Sequence, residues 1–259
     1  MSPGLYVELQ GDQADPVVLL HGLGGNGAVW DPLIPLLLKH GFGTIVPDFS
    51  GHGRSAWSSS YSLDQQAAAV AALLPGGRPV KIIGHSMGAS VGLLLASGKY
   101  GIDVSSILAI GLKVDWSKED IARLGEIRPV RYFATRMEAS QRFLRVTGLA
   151  GLIGENDRCV QAGVIEDRDG FRLAVDPKTA CVVQEPVPPL LMRAQACGCR
   201  LRLACGDEDR LVDIASLRKW DRDATIFPGI GHNAHLAASL VLDSFLEQAP
   251  KRSQAAGCG

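Results

Sequence analysis

No apolar run in the sequence approaches the roughly 18 residues that a membrane-spanning helix needs. Residues 1–10 hold neither a basic stretch nor an apolar core, so no secretory leader is expected. Net charge is only −1, which gives no reason to expect a nucleic acid or an anionic membrane as partner. The six cysteines (Cys159, Cys181, Cys197, Cys199, Cys205 and Cys258) are too few for a disulfide framework in a chain this long. None forms a C-x-x-C pair, and Cys197 and Cys199 stand too close for an ordinary bridge. Reduced thiols and a cytoplasmic location are therefore expected. There is no internal repeat either. What remains is 259 residues, 46% apolar and 20% charged, enough for one large α/β domain with or without an insertion.

The stretch Val80-Lys81-Ile82-Ile83-Gly84-His85-Ser86-Met87-Gly88-Ala89-Ser90 organises this chain. An apolar strand pattern stops at a serine held between two glycines, and a small-residue helix pattern begins at once. Gly84 to Gly88 fits G-x-S-x-G, the nucleophile elbow. A strand that turns into a helix within one residue strains the serine backbone, and side chains two positions away on either side would collide. The hydroxyl then stands at a helix N-terminus, where backbone N–H groups favour a developing negative charge.

Around the elbow, strands and helices alternate. Strands are expected over 5–10, 16–20, 43–48, 104–112, 201–205 and 224–227, and helices over 30–39, 65–74, 190–196 and 234–248. Ser62-Leu63-Asp64-Gln65 reads as a capping box. This rhythm predicts a mostly parallel twisted sheet with helices on both faces, formed by residues 1–112 and 186–250. It breaks over 113–185, where helical patterns at 118–124 and 138–146 and no clear buried strand predict a helical cap or lid. The tail over 251–259 is small and polar, and fraying is expected there.

A serine hydroxyl needs a base to become nucleophilic, and the base needs a carboxylate to orient it. Candidates lie just past expected strands: Cys205-Gly206-Asp207-Glu208-Asp209 after one, Gly231-His232-Asn233 after another. With His21-Gly22-Leu23-Gly24 and Asp48-Phe49-Ser50-Gly51-His52-Gly53-Arg54-Ser55, these motifs resemble the α/β-hydrolase superfamily, in its capped esterase- and lipase-like form, over nearly the whole chain. The resemblance implies Ser86 as nucleophile, His232 as general base and Asp209 as the acid. It also implies an oxyanion hole from the backbone N–H groups of Leu23 and Met87, a cap inserted after the sixth strand of the fold, and no cofactor or metal. Asp207, Glu208 and Asp115 stay open as alternative acids, and His235 competes with His232.

The implied activity is hydrolysis of a small-molecule carboxylic ester through an acyl-enzyme. Thioesters, lactones, amides and C–C bonds suit the same residues, and a slow-turnover ligand-binding receptor is the reading from another class. His21 is expected to be a buried structural histidine, His52 and Arg54 to hold their own loop, and His85 to face either pocket or sheet. Six arginines between 123 and 145, against Glu126 and Glu138, would either attract a carboxylate-bearing substrate or form a solvated helix face paired with acids. Trp30, Trp57, Trp116 and Phe143 suit an acyl pocket or the core equally.

Overall fold

The computed structural model describes residues 4–74, 76–120, 127–182 and 186–248. The expected tail over 251–259 and most of the helix expected over 118–124 lie outside them. Seven strands form one sheet: β1 (Val7–Gln10), β2 (Pro16–Leu20), β3 (Gly43–Pro47), β4 (Val80–His85), β5 (Val104–Ile110), β9 (Arg200–Gly206) and β10 (Thr225–Phe227). Their order is β1-β3-β2-β4-β5-β9-β10, with only β1 antiparallel to its neighbour. β2, β3 and β4 are buried along their whole length, as continuous Val/Ile/Leu runs in a sheet covered on both faces must be. The alternating segment at the start supplies the edge strand, where one side faces water.

Helices cover both faces. α2 (Leu63–Ala71), α3 (Met87–Leu95), α6 (Val187–Ala196) and α7 (Ile214–Trp220) enclose one core with Val18, Ile82 and Ile107; α1 (Ile34–Lys39) and α8 (Ala238–Gln248) enclose the other with Leu19, Ile83 and Leu108. The helix expected over 30–39 is split into a 3-10 turn, Gly27–Trp30, and α1, because Pro32 interrupts the amide donors between them. The final helix likewise divides into a 3-10 turn, Ala234–Leu236, and α8. At Ser62 half of the capping box forms: its side chain accepts from the Gln65 amide, while the Gln65 side chain turns to Ser60.

The segment after β5 needs correction. It holds α4 (Arg136–Val146) and α5 (Arg158–Ala162), and also a second sheet of β6 (Tyr132–Phe133), β7 (Val164–Asp167) and β8 (Gly170–Leu173), all antiparallel. It is therefore mixed rather than helical. Strands of two to four half-exposed residues carry too little alternation to be read from sequence. It leaves the sheet after β5, the strand that follows β4 and α3, at the place expected from the sequence. Phe143 and Val160 continue the core of the second face, and polar ties fix the segment in place. Asn26 donates to the Cys159 carbonyl (2.8 Å), Asn233 to those of Thr147 and Gly148 (3.0 and 2.8 Å), and Tyr61 to Asp176 (2.8 Å).

Candidate active site

β4 ends at His85 and α3 begins at Met87, so Ser86 alone makes the turn. Its φ of 51° and ψ of −115° make it the one described non-glycine residue with positive φ. Such a backbone costs on the order of 1–3 kcal/mol. The flanking glycines are sterically required. A Cβ at Gly88 would stand 2.2 Å from the Leu20 carbonyl oxygen, and one at Gly84 2.7 Å from the Ala89 backbone. The Ser86 amide donates to the Ile110 carbonyl at 2.9 Å, anchoring the turn to the neighbouring strand.

Ser86 lines a cavity of about 250 Å³ together with Leu23, Met87, Trp116, Leu211 and His232. Leu23 lies in a tight turn, in which the Gly25 amide donates to the Gly22 carbonyl at 3.1 Å. Ser86 and His232 face the same space without a hydrogen bond between them among the described contacts. In substrate-free sites such bonds are often long and tighten when substrate binds.

His232 follows β10, and Asp209 follows β9. The two loops cross closely: a Cβ at Gly206 would fall 1.8 Å from the Ile230 carbonyl oxygen. His232 Nδ1 donates to Asp209 Oδ2 at 2.8 Å, which fixes the tautomer and leaves Nε2 with its lone pair. Asp209 Oδ1 accepts from the Leu211 amide at 2.8 Å. Burial disfavours the Asp209 carboxylate, but the His232 bond and the amides of Leu211 and Val212 outweigh it and hold its pKa below the ordinary value. The other acids lie elsewhere. Asp207 accepts from the Gly229 amide at 2.7 Å, Asp115 from the Ser216 hydroxyl at 2.6 Å, and Glu208 is exposed.

A shell of buried histidines surrounds this pair. His21 Nδ1 donates to the Gly22 carbonyl (2.8 Å) and Nε2 accepts from the Phe49 amide (3.0 Å), so the ring joins the Leu23 loop to the loop after β3. Asp48, fully buried, accepts from the Gly27 amide at 2.6 Å and from Arg54 through its amide and guanidinium at 2.7–3.0 Å. The Asp48–Arg54 pair thus braces the same loops. His85, expected to face either pocket or sheet, is buried yet lines the Ser86 cavity; it donates to the His232 carbonyl and stacks on His235, with ring centroids 3.9 Å apart. Burial pushes the pKa of His85 well down, and takes those of His52 and His235 to about 3, so all three rings are neutral. His235 faces Trp30 and lies in the core, away from the carboxylate that His232 meets.

The four aromatic candidates separate. Trp116 lines the Ser86 cavity, Trp30 and Phe143 are core, and Trp57 lies under Arg172. The helix-capping pair Thr135 and Glu138, the Asn233 ties and the His85 bond escaped the sequence reading. Only the first had a legible signal, a T-x-x-E pattern before an amphipathic helix.

Residues 17–243 match the sequence profile of the alpha/beta hydrolase family. The chain is 36% identical over 98 residues to the lipase LipV of Mycobacterium tuberculosis, covering 37% of each protein. It is 36% identical over 108 residues to a pimeloyl-[acyl-carrier protein] methyl ester esterase of Methylococcus capsulatus, covering 42% of this chain and 41% of that one. These alignments thus span about two fifths of each curated relative. Over the whole fold it superposes on E-2-(acetamidomethylene)succinate hydrolase with a TM-score of 0.77, at 21% identity and 94% coverage of both chains. Among the described residues, no helix is long and apolar enough to cross a membrane. The match across most of its length, on a sheet with this topology, shows that the chain belongs to the alpha/beta hydrolase family.

Proposed function

We propose that the protein is a serine hydrolase that cleaves carboxylic esters through an acyl-enzyme. One observation carries the reading: the Asp209–His232 hydrogen bond of 2.8 Å opens onto the cavity that Ser86 lines. Ser86 Oγ attacks the ester carbonyl while His232 Nε2 takes its proton, and Asp209 stabilises the imidazolium. The Leu23 and Met87 amides donate to the oxyanion. Each such donor is worth about 100- to 1000-fold in rate. As the tetrahedral intermediate collapses, the C–O bond to the alcohol breaks and His232 returns the proton to the leaving oxygen. Water, deprotonated by His232, then releases the acid and restores the Ser86 hydroxyl. None of these steps calls for a metal or organic cofactor.

The named activities of the relatives, a lipase and a methyl ester esterase, support esters over the other acyl substrates that this machinery suits. The buried thiols of Cys159, Cys199 and Cys205, free of disulfides among the described residues, favour a reducing compartment such as the cytoplasm. Turnover of 4-nitrophenyl esters, and its loss in a folded Ser86→Ala variant, is the test. Full activity in that variant, or no labelling of the wild-type protein by a fluorophosphonate, excludes the reading.

A further inference from the structure

Two more cavities lie beside the Ser86 site, and Val146 lines all three. One, of about 730 Å³, is lined by Arg128, Arg131, Tyr132, Arg142, Val146 and Leu173, among others. The other, of about 650 Å³, carries Arg145 and shares Val146, Thr147, Leu211 and His232 with the Ser86 cavity. Arg142 lies four residues before Val146 on α4, so it sits one helical turn, about 6 Å, along the axis from a residue that touches the Ser86 cavity.

The charge along these walls has one sign. Among the described residues lining the three cavities are Lys113, Arg128, Arg131, Arg142 and Arg145, and no carboxylate. This occurs on a chain whose net charge is −1. A solvated helix face would pair its arginines with acids at i±4, and Glu138 stands at that spacing from Arg142. Glu138 is engaged elsewhere. Its carboxylate accepts from the Ala134 and Thr135 amides at 3.1 and 3.3 Å, closing the N-terminus of α4. The Arg142 and Arg145 guanidinium groups have no hydrogen-bond or ion-pair partner among the described residues. Arg131 lies against the Phe133 ring, 5.0 Å from its centroid. Between the arginines the wall is apolar, formed by Val130, Tyr132, Phe133 and Leu173.

We propose that the substrate is an ester whose apolar acyl chain ends in an anion, a carboxylate or phosphate, held by Arg142 and Arg131 in the groove beside Val146. The inference rests on the ester-hydrolase reading above and names the substrate class of the same site. A guanidinium fork matches both anions, and the apolar wall of the arginine-lined cavity suits an alkyl chain better than a short polar acid.

The test compares 4-nitrophenyl octanoate with the mono-4-nitrophenyl ester of suberic acid and its ω-phosphate analogue, which separates the two anions. The wild-type protein should favour at least one anionic ester by about tenfold in kcat/KM, the worth of one charge-assisted bond. Arg142→Gln should reduce that ratio about tenfold, Arg142→Lys less, and Arg222→Gln, at an exposed arginine lining neither groove, should leave it alone. Hydrolysis of all three esters without preference, or an unchanged ratio in Arg142→Gln, overturns the inference and spares the hydrolase reading. Binding is the independent arm. Calorimetric titration of Ser86→Ala with monomethyl suberate should show an affinity that Arg142→Gln weakens about tenfold, and equal affinities overturn the inference whatever catalysis does.

Discussion

His85 donates from Nε2 to the main-chain carbonyl of His232 across 3.0 Å, with the two rings 4.9 Å apart. The residue preceding the proposed nucleophile therefore holds the loop that carries the proposed base. Removing the donor leaves a part-buried carbonyl unpaired, at a cost of about 1–3 kcal/mol. His85→Leu should lower kcat about tenfold, since the loop that carries His232 loses its support, with a smaller change in KM because the ring also lines the Ser86 cavity. His85→Gln, whose amide can donate, should recover most of the rate. A KM effect alone in either variant would argue that the ring shapes the pocket instead.

The carboxylate assignment has a direct test in three isosteric variants. Asp209→Asn keeps the shape but leaves His232 Nδ1 facing an amide, with the wrong tautomer favoured. A loss of kcat of order 10⁴ is expected. Asp207 and Asp115 bond the Gly229 amide and the Ser216 hydroxyl, so Asp207→Asn and Asp115→Asn should stay within a few-fold of wild type. Steady-state kinetics on one chromogenic ester separate these outcomes.

Buried neutral histidines make acid costly to this fold. Among the described residues, His52 Nε2 and His235 Nδ1 have no partner, and burial lowers both pKa values to about 3. In the unfolded chain each ring titrates near 6.5. Below that pH the unfolded state binds protons the native state refuses, so stability is complete above 6.5 and falls steadily towards 3. At pH 5 each ring accounts for about 2 kcal/mol. Asp48 and Asp209, whose pKa values are depressed by their bonds despite burial, add a further loss below about pH 4. Urea midpoints should therefore drop between pH 7 and 5, and His235→Phe should flatten the dependence. Equal midpoints in the wild-type protein would contradict this.

The strand-to-helix turn was legible in the sequence because its constraint is local: Gly84 and Gly88 are spaced by a collision that any such turn produces. The position of Asp209 was legible only by family spacing, since three nearby acids are chemically equivalent until the loops fold. His85 was not legible. β4 is buried on both faces, so alternation says nothing about which way its last residue points. The small antiparallel sheet escaped for another reason, its strands being stabilised by packing on α4 rather than by their own pattern. The arginines of α4 were visible as a run, but their meaning turned on Glu138, whose T-x-x-E spacing from Thr135 draws the carboxylate away from them.

The strained turn at Ser86 itself yields an expectation about stability. With φ at 51° and ψ at −115°, any L-residue there carries a cost that glycine escapes. Glycine also loses more chain entropy on folding, which offsets about 0.5–1 kcal/mol of the relief. Ser86→Gly should therefore be more stable than Ser86→Ala by about 1 kcal/mol, with both variants inactive. The comparison is clean because both remove the hydroxyl and differ only at Cβ. Urea unfolding of the two proteins measures the difference, and a more stable alanine variant would show that the surrounding structure relaxes the turn.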